Sequence, residues 1–404
     1  LIDLPSAHDA PSRPVPFSER LAALQAGGRH VAYVYPRPDH STFRYRVLNM
    51  LEALASMAGV GASWFEECEL ANCEVIVDSA DVLVLVRCKY SAAFANLVAR
   101  GHARGKRVLF DIDDLVFDTR YILPVLQHLG HPAAEDKLDY WFADYARYGA
   151  LLRLCDGVIV TNDYLAERVR EFCDLPTCVV PNFMNHAQLA WSALIRERKT
   201  AAECPRDGRV HLGYFSGSPT HQRDFSVAET ALLRMLEANK NLVLRVVGQL
   251  DLSPRFLDFG DQIERFPMQD VLALQRLIAE VEINLVPLRN TPFTNCKSEL
   301  KYFEAAAVTT VTVASPTFTL GHAITHGVNG YLAKAHAWCQ VLNQAINGIG
   351  SASEYWAVAE AAGAHALSRY VPEAQAREVA TALFGEGADE LLCIAEDRAA
   401  RPMQ

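Results

Sequence analysis

Between Asn295 and Glu304 the chain sets an amide, two cations, a hydroxyl and a carboxylate in close order: Asn295, Lys297, Ser298, Lys301 and Glu304. The run Ser298 to Ala307 reads as a helix, and the N-terminus of a helix attracts phosphate through its free N–H groups and its dipole. Lys297 and Ser298 add a cation and a hydroxyl at that same end. Residues three, four and seven apart share a helix face, so Lys301 and Glu304 lie on the Lys297 side. A carboxylate set back in this way can accept hydrogen bonds from ribose hydroxyls. The plain alternative is a capped helix with a surface Lys-Glu pair, although Lys before Glu is the weaker order for such a pair.

The elements that must position these groups are legible around them. Val281 to Val286 is a β-rich run broken by Pro287, a polar loop follows from Arg289 to Cys296, and a second apolar strand runs from Thr309 to Ala314. Strand, loop, helix and strand in this order form a parallel βαβ unit, whose ligands sit beyond the carboxyl ends of the strands. Arg289, Asn295, Lys297, Ser298 and Glu304 therefore surround one crevice. A second cradle follows the strand Val210 to Phe215, where Ser216, Gly217 and Ser218 precede a helix beginning near Asp224. Small residues at that place admit close backbone approach to an anion. His221 and Arg223 fall in the same turn.

The other chemical signal is acidic. Asp111, Asp113, Asp114 and Asp118 follow the short strand Arg107 to Phe110. Three readings compete: a metal-binding D-x-D, a set of cleft-facing carboxylates for sugar hydroxyls, and a phosphatase. VLFDIDD is similar to the first motif of haloacid-dehalogenase phosphatases, which would make Asp111 the nucleophile and Asp113 the general acid. Leu115 stands where that family wants Thr, and no later lysine with paired aspartates completes the set.

Further strands are expected at His30 to Tyr35, Asp81 to Val86, Asp156 to Thr161, Thr177 to Val180, Leu242 to Val247 and Gln262 to Phe266, with helices between them. The loop after Tyr35 brings Arg37, His40, Ser41, Arg44 and Arg46 to the sheet edge, and PNFMN brings Asn182 and Asn185. Tyr140, Trp141, Phe142, Tyr145 and Tyr148 read as a core stripe, with a sugar-stacking platform as the alternative. Alternating strands and helices in both halves predict an α/β protein of two doubly wound domains. We divide it as a lead (1–28), a first domain (29–185), a connection (186–208), a second domain (209–350) and closing helices (351–404).

The 404 residues suit two domains, and a net charge of −10 argues against nucleic acid as the main partner. Ten cysteines without C-x-x-C spacing suggest reduced thiols in a cytoplasmic setting. No apolar run is long enough to span a bilayer, and the Pro-rich start does not read as a signal peptide. The chain begins without Met, which suggests a piece of a longer polypeptide with other domains.

The second half resembles retaining nucleotide-sugar glycosyltransferases of the GT-B fold, the "glycosyl transferases group 1" class. The branch it resembles reads Asn, Lys-Ser, Lys and Glu at the positions of Asn295, Lys297, Ser298, Lys301 and Glu304. A strand then ends in Ala314-Ser315, followed by Gly327, Asn329 and Gly330, and upstream Gly213-Tyr-Phe-Ser-Gly-Ser precedes His221 and Asp224. The family's paired glutamates, E-x7-E, are met by Glu304 but by Cys296 at the first place. The resemblance implies two Rossmann-like domains facing a central cleft, with the closing helices partly crossing back to the first domain. It also implies transfer of a hexose or deoxyhexose from a nucleoside-diphosphate sugar to a glycan or lipid-linked glycan, in bacterial surface polysaccharide synthesis.

No metal and no cofactor are expected on this reading, and membrane association is at most peripheral, at the inner face. Arg223 and Lys297 would hold the diphosphate with Gly217, Ser218, His221, Asn295, Ser298 and Lys301, with Arg289 in reserve. Glu304 would hold the ribose, and Asp113 or Asp114 would orient the acceptor hydroxyl. Arg44, Arg46 and Asn182 would face the acceptor. The rivals are a non-catalytic nucleotide- or sugar-binding module of a larger assembly protein, which Cys296 favours, and the phosphatase built on Asp111 and Asp113.

Overall fold

Unbroken apolar runs fold as strands covered on both faces, as parallel sheets require. In the computed structural model, which describes residues 15–38, 41–130, 134–201, 207–217, 221–350 and 352–388, they build two sheets. The first holds β1 (Arg29–Tyr35), β2 (Val60–Glu66), β3 (Val82–Val86), β4 (Arg107–Ile112), β5 (Gly157–Val160) and β6 (Thr177–Val179). Its order is β2-β1-β3-β4-β5-β6. The second holds β7 (Val210–Ser216), β8 (Leu242–Gly248), β9 (Ile263–Phe266), β10 (Ile283–Val286), β11 (Val311–Ala314) and β12 (Tyr331–Leu332). Its order is β12-β11-β10-β7-β8-β9. All strand pairs are parallel.

Several local expectations change. β4 extends through Ile112, so Asp111 belongs to the strand and its carboxylate is buried. β2 was not anticipated, because its buried positions hold Gly61 and Ser63 beside Phe65 and no apolar run results. The interdomain connection is largely one helix, His186–Thr200, packed on the helices Val271–Ala279 and Leu300–Ala307. A single turn, Pro292–Asn295, interrupts the loop after β10, and the helix expected from Ser298 starts at Leu300. On the helix Glu135–Leu152 only one face enters the core: Tyr145 is buried, whereas Tyr140 and Phe142 are exposed.

The closing helices Trp338–Gly350, Ala352–Arg369 and Pro372–Phe384 bury Trp338, Tyr355 and Tyr370. The last of them returns to the first domain and packs on the helix Asn49–Ala55. Arg107 Nη1 donates to the Leu383 carbonyl at 2.8 Å, and the Met184 amide donates to the Tyr370 carbonyl at 3.0 Å.

One buried ion pair joins the first domain's loop to its sheet. Arg46 donates to both Asp111 oxygens, at 2.9 and 2.8 Å, and to the Val180 carbonyl at 2.7 Å. Both side chains are closed to water. Breaking such a pair strands the surviving charge, at a cost of about 3–5 kcal/mol. Arg46→Ala should therefore lower the urea midpoint by that equivalent, a loss that equilibrium unfolding measures against wild type.

Candidate functional site

Doubly wound sheets bind ligands where the strand order reverses, beyond the carboxyl ends of the strands. In the second sheet that point lies between β7 and β10, and it faces the first domain. A cavity of about 390 Å³ fills the space. The first domain lines it with Ser41, Thr42, Arg44, Tyr45, Asp113 and Asn182, and the second with Ser216, Gly217, His221, Gly248, Met268 to Val271, Lys301 and Glu304. A smaller cavity of about 160 Å³ adjoins it, sharing Asp113, Asn182, His221 and Lys301 and adding Asp114, Lys297, Ser298 and Glu299.

Glycine shapes this edge. Gly248 has φ +91°, and a β-carbon there would stand 2.0 Å from the Ser216 carbonyl oxygen, so only glycine lets the ends of β7 and β8 meet. Beside Gly217 a β-carbon would meet no atom of the described residues within 4 Å, which leaves room for close approach by a ligand.

Charges from both domains meet across the cleft. Lys297 Nζ lies 3.7 Å from Asp114 Oδ1 and 4.5 Å from the centre of the Phe293 ring. Arg87 reaches the same Asp114 at 3.3 Å and Asp113 at 3.2 Å. Burial would raise the Asp114 carboxyl, but Lys297 and Arg87 hold it below its ordinary value. Thr42 donates to Asp113 at 3.1 Å. Lys301 Nζ donates to the Phe215 carbonyl at 2.5 Å, and burial, with Lys297 nearby, brings its ammonium down to about 8.

A second junction centres on Asp224. His221 Nδ1 lies 3.2 Å and His128 Nε2 3.4 Å from its Oδ2, while the Arg289 amide donates to Oδ1 at 3.0 Å. These contacts outweigh the upward push of burial and keep Asp224 ionised. Burial brings His221 down to about 4, so it is neutral near pH 7. A neutral imidazole beside an ionised carboxylate carries its proton on Nδ1, which leaves Nε2 as a hydrogen-bond acceptor.

Among the expected site residues, Asp113, Asn182, Gly217, His221, Lys301, Glu304 and Arg44 line the larger cavity, and Asp114, Lys297 and Ser298 line the smaller. Ser218 and His40 lie outside the described residues. Arg46 is in the core on Asp111 and lines neither cavity, which also removes the phosphatase reading, because a nucleophile cannot act from inside a bidentate buried ion pair. Arg223 turns to the carbonyl of Gln127 in the first domain. Asn295 is spent on Asn290 and on the Phe318 amide, each at 2.9 Å, and Arg289 contributes its main-chain amide to Asp224.

Four participants were not foreseen: Arg87, Tyr45, His128 and Glu299. Arg87 and His128 were invisible because their partners are distant in sequence. Glu299 stands in the stretch already singled out, three residues beyond Cys296. It accepts from the Tyr370 hydroxyl at 2.8 Å, and burial raises its carboxyl. Cys296 itself is buried against the first domain's core, with its carbonyl held by Asn162 at 2.8 Å. Among the described residues no group of three or more His, Cys, Asp or Glu is arranged to hold a metal ion.

No protein-family model matches the chain, and no curated protein matches it in sequence. Solved structures do match. Sucrose-phosphate synthase from Thermosynechococcus elongatus aligns with a TM-score of 0.59 and 14% identity, over 90% of this chain and 99% of that one. Anabaena HepE in complex with UDP and glucose gives 0.58 and 11%, over 87% and 98%. WaaG, a glycosyltransferase involved in lipopolysaccharide biosynthesis, gives 0.53 and 16%, over 88% and 100%. The chain has the GT-B fold, two parallel six-stranded sheets facing one cleft.

Glu304 makes the cleft sensitive to pH. It is buried, accepts from the Tyr45 hydroxyl, and is lifted by burial to about 7 from 4.5. The folded protein thus holds this proton more tightly than the unfolded chain. Its contribution to stability is complete below about pH 4.5 and lost as pH rises through about 7. Urea unfolding of Glu304→Gln from about pH 5 to pH 8 should show a flatter pH dependence than wild type. An unchanged slope would remove Glu304 as the titrating group.

Proposed function

We propose that the chain is a glycosyltransferase that uses a nucleoside-diphosphate sugar, acts with retention and needs no metal. The observation that carries this reading is the cleft in which Lys297, Lys301, His221 and Glu304 of the second domain face Asp113 of the first. Charge developing on a departing diphosphate is the largest quantity to stabilise, and cations held in a half-dry cleft do so without reorganising. Lys297 and Lys301 take that role, and the open space beside Gly217 admits the phosphates.

Glu304 receives the ribose hydroxyls, which replace the Tyr45 hydroxyl on its carboxylate. Glu299 takes the donor-sugar contact that Cys296 cannot make, since it lines the smaller cavity with Lys297 and one of its buried carboxyl oxygens has no hydrogen-bond partner among the described residues. Asp113, fixed by Arg87 and Thr42, orients the acceptor hydroxyl. Departure and attack occur on one face of the sugar. The bond from the anomeric carbon to the phosphate oxygen breaks, the acceptor oxygen bonds to that carbon, and the hydroxyl proton passes to the leaving phosphate. No protein nucleophile is assigned.

HepE was solved with UDP, with UDP-glucose, and with UDP and glucose, so uridine donors are the first to test. A hexose or deoxyhexose donor, a glycan or lipid-linked acceptor, polysaccharide synthesis and a cytoplasmic place at the inner membrane face complete the proposal. No described helix is long and apolar enough to cross a membrane.

Calorimetry in EDTA with UDP, GDP, dTDP and ADP is the test. One of them should bind, and Lys297→Ala and Glu304→Ala should each weaken it about tenfold, roughly 1.4 kcal/mol. Undiminished binding in both variants would refute the site. No binding by any nucleotide would leave the non-catalytic module as the better account.

A further inference from the structure

A separate cavity of about 620 Å³ opens on the first domain where β1 ends at Tyr35 and β3 at Val86. These strands are neighbours, and the chain leaves them toward opposite sides of the sheet, so this is the first domain's own point of strand-order reversal. Ser41 and Thr42 line both this cavity and the larger one in the cleft.

Its lining is basic in an acidic protein. The chain has 38 Lys and Arg against 48 Asp and Glu, yet Arg37, Arg87, Lys89 and Arg147 line this cavity with Glu67 as their one lining carboxylate. Two of the four are committed: Arg87 to Asp113 and Asp114, and Lys89 to Asp144. The other two are not. Arg147 uses only Nε, on the Tyr90 carbonyl at 2.8 Å, and Arg37 is exposed with no ion-pair partner among the described residues. Two guanidinium groups thus keep terminal N–H donors available, and such donors match phosphate or carboxylate in paired geometry.

Arg87 has φ +47°, a left-handed backbone that a long side chain adopts only at a cost. Arg87 lines this cavity, and its guanidinium holds the carboxylate of Asp113, which lines the larger one.

We propose that this cavity binds an anionic acceptor, a sugar carrying a phosphate or carboxylate. Arg37 and Arg147 hold the anion, Tyr148 offers a ring face to the sugar, and the free hydroxyl points past Thr42 toward Asp113. The term acceptor rests on the glycosyltransferase reading, whereas the anion site does not.

Calorimetry with glucose 1-phosphate, glucuronate and glucose separates the two. At least one of the anions should bind, with glucose much weaker. The double variant Arg37→Ala/Arg147→Ala should lose the anion about tenfold or more while nucleoside-diphosphate affinity holds, and Lys297→Ala should do the reverse. Circular dichroism of each variant confirms the fold. Equal anion binding in the double variant, loss confined to Lys297→Ala, or equally tight glucose would overturn the inference. If a nucleotide binds and neither sugar anion does, the inference falls and the glycosyltransferase reading stands. Arginine-dependent anion binding without any nucleotide binding would do the opposite.

Discussion

A carboxylate taken out of water needs compensation, and Asp114 receives it from both domains at once. Arg87 comes from the end of β3, and Lys297 from the approach to the helix Leu300–Ala307. Neither domain alone neutralises the group, so the juxtaposition of the sheets is written into one charge balance. Asp224 repeats the arrangement with the roles exchanged: the carboxylate belongs to the second domain, and His128 reaches it from the first. Both junctions border the cleft, through Asp114 and through His221.

The same economy explains the chemistry near the missing glutamate. With Cys296 buried in the first domain's core, the loop after β10 is anchored at that point. Glu299 then lines the smaller cavity with Lys297 and Asp114, while Tyr370 keeps one of its oxygens engaged. The residue at the family's usual position and the residue that lines the cavity are thus different, and only three places apart.

The sheets were legible because a strand buried on both faces is an apolar run wherever it occurs. Val82–Val86 and Gly157–Val160 are such runs, fully buried in the fold. β2 escaped because Gly61 and Ser63 occupy two of its buried positions and break the run. Lys297, Ser298, Lys301 and Glu304 were legible because a helix start and its face are local geometry. Arg44 and Arg46 were grouped as one basic loop, yet residues two apart on a helical turn point to different sides: Arg44 lines the cleft and Arg46 enters the core. What could not be read was pairing across distance. Arg46 meets Asp111 over 65 residues and Tyr45 meets Glu304 over 259, and local spacing carries no trace of either.

The chain passes between its two halves twice, once after β6 and again before the helix Pro372–Phe384. The Met184 amide on the Tyr370 carbonyl fastens those two passages together, main chain to main chain. Two covalent crossings clasped at one place act as a pivot: the halves can swing about it, but sliding past one another would break the clasp. Displacement in a swing grows with distance from its axis. Groups near Tyr370, such as Glu299, would keep their relation to the first domain through opening, and those farther along the cleft would travel most.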